Sequence, residues 1–171
     1  MSLKQLQNLN KVIMIRLELY QNNAILDFLK IGQVLEGIRI GDKKEKVFSL
    51  LGKPNRIVGD DFSGFLEFKN GIRFRYVDHL IDDLEIIFIK NVKLPIQLDL
   101  LPESSSICKK TLIGNFVQIL SFAKIKWRSW DEHSLDAFSI RTEGDVLVIF
   151  DLESSKLERI IYIGKDLIRQ N

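Results

Sequence analysis

The feature that most constrains this chain is a local grammar that occurs twice. The first copy runs from Gly41-Asp42 through Glu45, Val47, Phe48, Leu50-Leu51-Gly52 and Pro54, and its alternating segments close at Phe88-Ile89. The second starts at Thr111, continues through Leu112, Phe116, Ile119 and Leu120, and closes at Tyr162-Ile163. Each copy reads as a helix followed by an antiparallel meander. Spacing supports a duplication: Gly71 to Leu84 and Gly144 to Leu157 span the same interval, and Phe65 and Phe138 precede their glycines equally. One point disagrees. The register that gathers Phe74 and Tyr76 on the apolar face favours Val146, Val148 and Phe150 in the second copy, and a slip of one residue reverses the faces.

The helix of the first copy carries its own start and stop. Asp42 at the N-cap with Glu45 three residues later has capping-box spacing; Gly52 supplies a left-handed C-terminal turn and Pro54 prevents continuation. Val47, Phe48, Leu50 and Leu51 form its apolar stripe. In the meander, a two-residue Asn70-Gly71 turn would set Leu66 and Phe68 opposite arginines. A three-residue loop over Lys69-Asn70-Gly71 instead gathers Leu66, Phe68, Ile72, Phe74 and Tyr76 on one face and sets Glu67 opposite Arg73, so the longer loop is expected. Leu84, Ile86 and Phe88 continue as a third strand, after a turn at Asp78-His79 or Asp82-Asp83. Thr111 is the expected cap of the second helix. Three strands follow it, over Phe138–Arg141, Val146–Phe150 and Leu157–Ile163. Upstream, Ile15, Leu17 and Leu19 alternate as a half-buried strand, and Asn22-Asn23 caps a short helix whose apolar side is Ile25, Leu26, Phe28 and Leu29.

The expected fold is α+β: two tandem helix-plus-antiparallel-meander units sharing a mostly antiparallel sheet, with the helices packed on one face. At 171 residues and 46% hydrophobic, the chain reads as a single compact domain over 1–171. Its units are 14–92 and 107–165, joined by a Pro- and Ser-containing connector over 93–106. Residues 1–13 are polar and weakly patterned; they read as a loose arm, a short helix, or an extension ahead of a functional start at Met14 rather than Met1.

Twenty-five Lys and Arg against 23 Asp and Glu give a net charge of +2, without the basic excess of a nucleic-acid binder. No apolar run is long enough to span a bilayer, and residues 1–20 lack a signal peptide's order of basic, apolar and small residues. The single cysteine, Cys108, reads as a small apolar side chain. These readings point to a cytoplasmic protein without a membrane partner.

No catalytic signature stands out. Asp60-Asp61 and Asp82-Asp83 read as solvated turn residues, and His79 and His133 lack ligand spacing. Gly32, Gly37 and Gly41 do not form a phosphate loop. No metal, cofactor or catalytic residue is expected. The richest cluster is Trp127, Arg128, Trp130, Asp131 and Glu132, because Trp and Arg dominate binding hot spots; the competing reading has both indoles covering the core. Glu67, Arg73 and Arg75 lie on the strand face opposite the first copy's core, the second candidate surface. Burial of the two arginines in intramolecular contacts would count against a partner there.

The run Gly37-Ile38-Arg39-Ile40-Gly41-Asp42, with Glu45, Val47, Leu50-Leu51-Gly52 and Pro54, resembles the helical hallmark of the SmpA/BamE-like and beta-lactamase-inhibitory-protein-like folds. That resemblance implies helices packed on an antiparallel sheet, in a tandem pair for the inhibitory protein. The chain departs from the assembly lipoproteins in lacking an N-terminal lipidated cysteine, so envelope assembly does not carry over. The pattern also looks like the small immunity proteins that neutralise bacterial toxins. The resulting expectation is an intracellular, non-enzymatic protein-binding module that occludes a toxin stoichiometrically. The alternatives are a small-ligand-binding domain, an enzyme with a nonstandard site, or a structural dimer.

Overall fold

The computed structural model describes residues 24–32, 34–98, 101, 105–130 and 136–163. The expected strand around Ile15–Leu19, the Asn22-Asn23 cap and the arm lie outside them, as do Asp131, Glu132 and His133. The elements run α1 (Ala24–Ile31), β1 (Val34–Leu35), β2 (Ile38–Arg39), α2 (Lys44–Leu51), β3 (Arg56–Gly59), β4 (Ser63–Glu67), β5 (Ile72–Val77) and β6 (Leu80–Ile87). They continue with β7 (Lys93–Pro95), β8 (Ser106–Cys108), α3 (Ile113–Phe122), β9 (Trp127–Trp130), β10 (Ala137–Thr142), β11 (Val146–Asp151) and β12 (Leu157–Ile163). Among the described residues, one eight-stranded antiparallel sheet has the order β3-β4-β5-β6-β12-β11-β10-β9, and β1-β2 and β7-β8 form two-stranded ribbons.

The period-two alternation of strands sets the core. Leu66, Ile72, Phe74, Tyr76, Leu84 and Ile86 are buried from the first half of the sheet, and Ile140, Val146, Val148, Phe150, Ile160 and Tyr162 from the second. Phe28 and Leu29 of α1, Val47 of α2 and Phe116 and Leu120 of α3 join the same cluster. Each such side chain contributes about 1.5–3 kcal/mol on burial. The loop between β4 and β5 has the expected three-residue form: Leu66 pairs with Phe74 and Glu67 with Arg73, Gly71 sits at φ 81°, and the Phe68 N–H donates to Ile72 O at 2.9 Å.

Two expected caps act elsewhere. Asp42 does not cap α2, whose N-cap is Lys43; its Oδ2 accepts from the Arg39 N–H at 2.7 Å and from Lys46 Nζ at 2.6 Å. Thr111 likewise leaves the N-cap of α3 to Leu112, and its Oγ1 accepts from the Cys108 N–H at 2.9 Å. Both side chains close the turn before the helix. The helix starts are held by backbone instead. Ile81 N donates to Asp42 O and Lys44 N to His79 O, while Leu157 N donates to Thr111 O and Ile113 N to Ser155 O. At the other end of α2, Gly52 stops the helix as expected, its N–H reaching Phe48 O, but at φ 78° and ψ −157° it leaves in an extended, positive-φ conformation rather than the expected left-handed turn.

The architecture corrects the expectation of two tandem helix-plus-meander units with helices on one face: the described residues form one large antiparallel sheet with three helices. Two observations give the reason. First, α1 precedes the first meander in the chain yet docks on the second. Thr142 Oγ1, buried, donates to the Leu29 carbonyl at 2.5 Å. Second, the glycine match behind the duplication pairs unlike residues. Gly71 provides a positive φ, but in the second turn the positive φ belongs to Asp145, at 60°. Gly144 is small because a Cβ there would meet Gly32 N, Ile31 N and Leu29 O, each at 2.8 Å. The second hairpin is therefore shifted by one residue, and Val146, Val148 and Phe150 face inward.

β3, β8 and β9 were not expected as strands, and the start of the expected connector, Lys93–Pro95, pairs with Ser106–Cys108 at its end. The α1 contact is testable by urea unfolding followed by circular dichroism. Gly144→Ala should lower stability by about 1–3 kcal/mol through overpacking, and Thr142→Val by about 1–3 kcal/mol by orphaning the Leu29 carbonyl. Unchanged midpoints in both variants would show that α1 is not held there.

Candidate protein-interaction face

The strand positions that alternate with the core form the opposite face of the sheet, and its centre is charged. Glu85 on β6 is only 2% exposed and lies between arginines of two other strands. Arg73 Nε donates to Glu85 Oε2 at 2.6 Å, and Arg159 Nη1 lies 3.6 Å from Oε1. Arg73 also approaches Glu67 at 3.9 Å and stacks over the Phe65 ring at 4.5 Å. Arg75 pairs with Asp82 at 2.9 Å and stands 3.9 Å from Asp83. A carboxylate as buried as Glu85 depends on such partners, because removing one leaves an uncompensated charge.

The acidic pair Asp82-Asp83, expected as solvated turn residues, is instead part of β6. The turn falls at Asp78-His79, both at positive φ. Asp83 is 7% exposed, and its Oδ1 has no hydrogen-bond partner among the described residues. Burial, reinforced by the nearby Glu85 charge and opposed by Arg75, pushes its carboxyl up to about 7. The Asp60-Asp61 segment is a turn, as read: Asp60 Oδ1 accepts from the Phe62 and Ser63 N–H groups. Those two bonds hold its carboxyl below the usual range.

Toward the far edge the face becomes apolar and aromatic. Ile161, Leu147 and Ile149 lead across to β10 and then to β9, where Ser139 pairs with Trp130 and Arg141 with Arg128. The Trp130 ring lies beneath two guanidiniums, Arg141 at 4.4 Å and Arg128 at 5.2 Å from its centroid. Arg141 is also paired with Asp145 at 2.9 Å, whereas Arg128 makes no ion pair among the described residues. Beside Trp130 a shallow hollow of about 450 Å³ is lined by Ser139, Leu147, Ile149, Asp151 and Arg159, among others.

The sequence candidates are thus separated. Neither indole belongs to the core: Trp127 is 40% exposed and Trp130 is half-buried. Trp127 pairs with the buried Thr142, so it projects on the core side at the sheet edge, opposite in sense to Trp130. Arg128 and Trp130 come together with Arg141, which sequence reading missed because its strand partner was not recognised. Arg73, Arg75 and Glu67 are together at the centre. There the two arginines are engaged within the chain, with 24% and 33% of their side chains exposed. Among the described residues no cluster of three His, Cys, Asp or Glu is placed to hold a metal ion, and no helix is long and apolar enough to cross a membrane. No catalytic role is assigned to any residue of the face.

The buried acid gives a signed test. The folded-state value of Asp83, about 7, lies above the ordinary 3.8. Folding therefore takes up a proton between those values, and stability falls as pH rises from about 4 to about 7. Asp83→Asn removes this dependence. The variant's Tm should gain on the parent's across that range and level off above it; a constant difference would show that Asp83 titrates normally.

No family model matches the chain, and no curated protein matches it. Among solved structures it is similar to an extracellular protein containing a SCP domain from Bacillus anthracis str. Ames, at 12% identity and TM-score 0.41, over 77% of this chain and 46% of that one. It is also similar to a cysteine-rich secretory protein from Staphylococcus aureus subsp. aureus Mu50, at 14% identity and TM-score 0.45, over 81% of this chain and 49% of that one. The chain spans less than half the length of either protein. Those two proteins are described as extracellular and secretory; the expected cytoplasmic location is not carried forward.

Proposed function

We propose that the protein is a binding module that neutralises a bacterial toxin as an immunity protein, by stoichiometric occlusion through the outer face of its sheet. The observation that carries this reading is Trp130, held under Arg128 and Arg141 on an edge strand and away from the core. An indole clamped by two guanidiniums is pre-positioned and amphipathic, so little side-chain freedom is lost when a partner covers it. The neighbouring strip of Leu147, Ile149 and Ile161 supplies apolar area of the kind found at the core of protein interfaces, with the arginine–carboxylate network on its inner side. Arg128 adds a positive group suited to an acidic side chain of the partner. Occlusion requires no turnover, in keeping with a face of mutually paired charges. The resemblance of residues 37–54 to inhibitory-protein folds supports the same direction.

The test is co-expression with the product of the gene immediately beside this chain's own, followed by light scattering of the purified mixture. Growth rescue with a one-to-one complex is expected. Trp130→Ala should weaken that complex by about 2 kcal/mol or more, roughly thirtyfold. Trp127→Ala, on the other side of the sheet, should change it by less than about threefold. Toxicity without rescue, or no toxicity, would remove the immunity reading. A complex indifferent to Trp130→Ala would move the interface off this face.

A further inference from the structure

A second hollow, of about 450 Å³, lies away from the Trp130 face, between the β1–β2 hairpin, the loop joining β4 to β5, and the start of β7. Its walls are apolar: Ile25, Leu35, Ile72, Ile86, Val92 and Leu94. Lys69, Asn70, Asn91 and Lys93 also line it, and because all four are exposed they make its mouth. One acid is set among these walls. Glu36 occupies the tight turn between β1 and β2 at φ 55°, followed by Gly37 at φ 76°. A non-glycine residue in the left-handed region is uncommon, and here the turn fixes where the side chain starts. Glu36 Oε1 is buried and has no hydrogen-bond partner among the described residues.

Buried carboxylate oxygens are ordinarily satisfied by the protein or by ordered water. No lysine or arginine of the described residues forms an ion pair with Glu36, although Lys69 and Lys93 line the same hollow. Burial pushes its carboxyl up to about 7. An apolar chamber of ligand size, with one unsatisfied acceptor inside and a polar rim, has the make-up of a small-molecule site. A neutral donor would satisfy the oxygen but leave the charge uncompensated; a cation satisfies both.

We propose that this hollow binds a small apolar primary amine, its hydrocarbon body against Ile25, Leu35, Ile72, Ile86 and Val92 and its ammonium donating to Glu36 Oε1. The site is independent of the protein-binding face, and its failure would leave that reading untouched.

The experiment is isothermal titration of the full chain near pH 8 with three probes of similar size: phenethylamine, 2-phenylethanol and 3-phenylpropionate. Phenethylamine should bind at least about tenfold more tightly than either of the others. Glu36→Gln should erase that preference while leaving 2-phenylethanol unchanged. Val92→Trp, which fills the hollow, should weaken binding of all probes with the native circular dichroism retained. Absence of binding by every probe, equal binding of alcohol and amine, preference for the carboxylate, or amine binding indifferent to Glu36→Gln would each overturn the proposal.

Discussion

The ladder between β6 and β12 is the joint on which the rest of the structure depends. It sets Leu84 against Tyr162 and Ile86 against Ile160 on one side of the sheet, and all four side chains are buried. On the other side the same ladder brings Arg159 up to Glu85, which Arg73 already holds from β5. A nearly inaccessible carboxylate therefore requires cations from both halves of the chain, and the hydrophobic and electrostatic demands of the joint select one register. A slip of one residue would turn Glu85 into the core and Leu84 outward, which neither face tolerates.

The joint also divides the outer face into regions of different character. Its centre is largely paired within the chain: Arg73, Arg75 and Arg159 meet Glu67, Asp82, Asp83 and Glu85, although Asp83 Oδ1 has no hydrogen-bond partner among the described residues. Groups so engaged offer a partner little, because breaking intramolecular pairs offsets what new pairs contribute. The β9–β10 edge is different. There a large indole and the Arg128 guanidinium are presented, the latter without an ion pair among the described residues, next to aliphatic side chains. In the proposed reading, recognition is concentrated at that edge, with the charged centre beside it.

Much of this was legible in the sequence wherever burial of one face decided between alternatives. The five apolar side chains flanking Lys69-Asn70-Gly71 forced the three-residue loop against the commoner two-residue turn, and Gly52 marked the helix stop. The failures share a cause: a residue type with two physical uses. Gly144 looked like a turn glycine but is a packing glycine, and only the non-local approach of α1 reveals it. Asp42 and Thr111 have cap chemistry, yet each bonds the N–H three residues before it. Asp82-Asp83 looked like a turn because two adjacent acids rarely enter a central strand, and the compensating arginines come from neighbouring strands. β9 carries Trp-Arg-Ser-Trp with no apolar alternation, so an edge strand with both faces partly wet left no periodic signal. Glu36 could not be singled out, since the walls around it arrive from three separate stretches of chain.

The docking of α1 against Thr142 and Gly144 has a consequence for how the molecule can be divided. A cut in the segment between β7 and β8 would leave α1 on one fragment and the donor to its last-turn carbonyl on the other. The same cut would separate Glu85 from Arg159 and expose two strand edges that are interior in the intact sheet, where unpaired backbone invites association with other chains. Neither fragment would inherit a finished surface. The two pieces would instead be complementary, each presenting to the other the strand edge and the charge that the other lacks. The chain is thus modular in its pattern and indivisible in its structure.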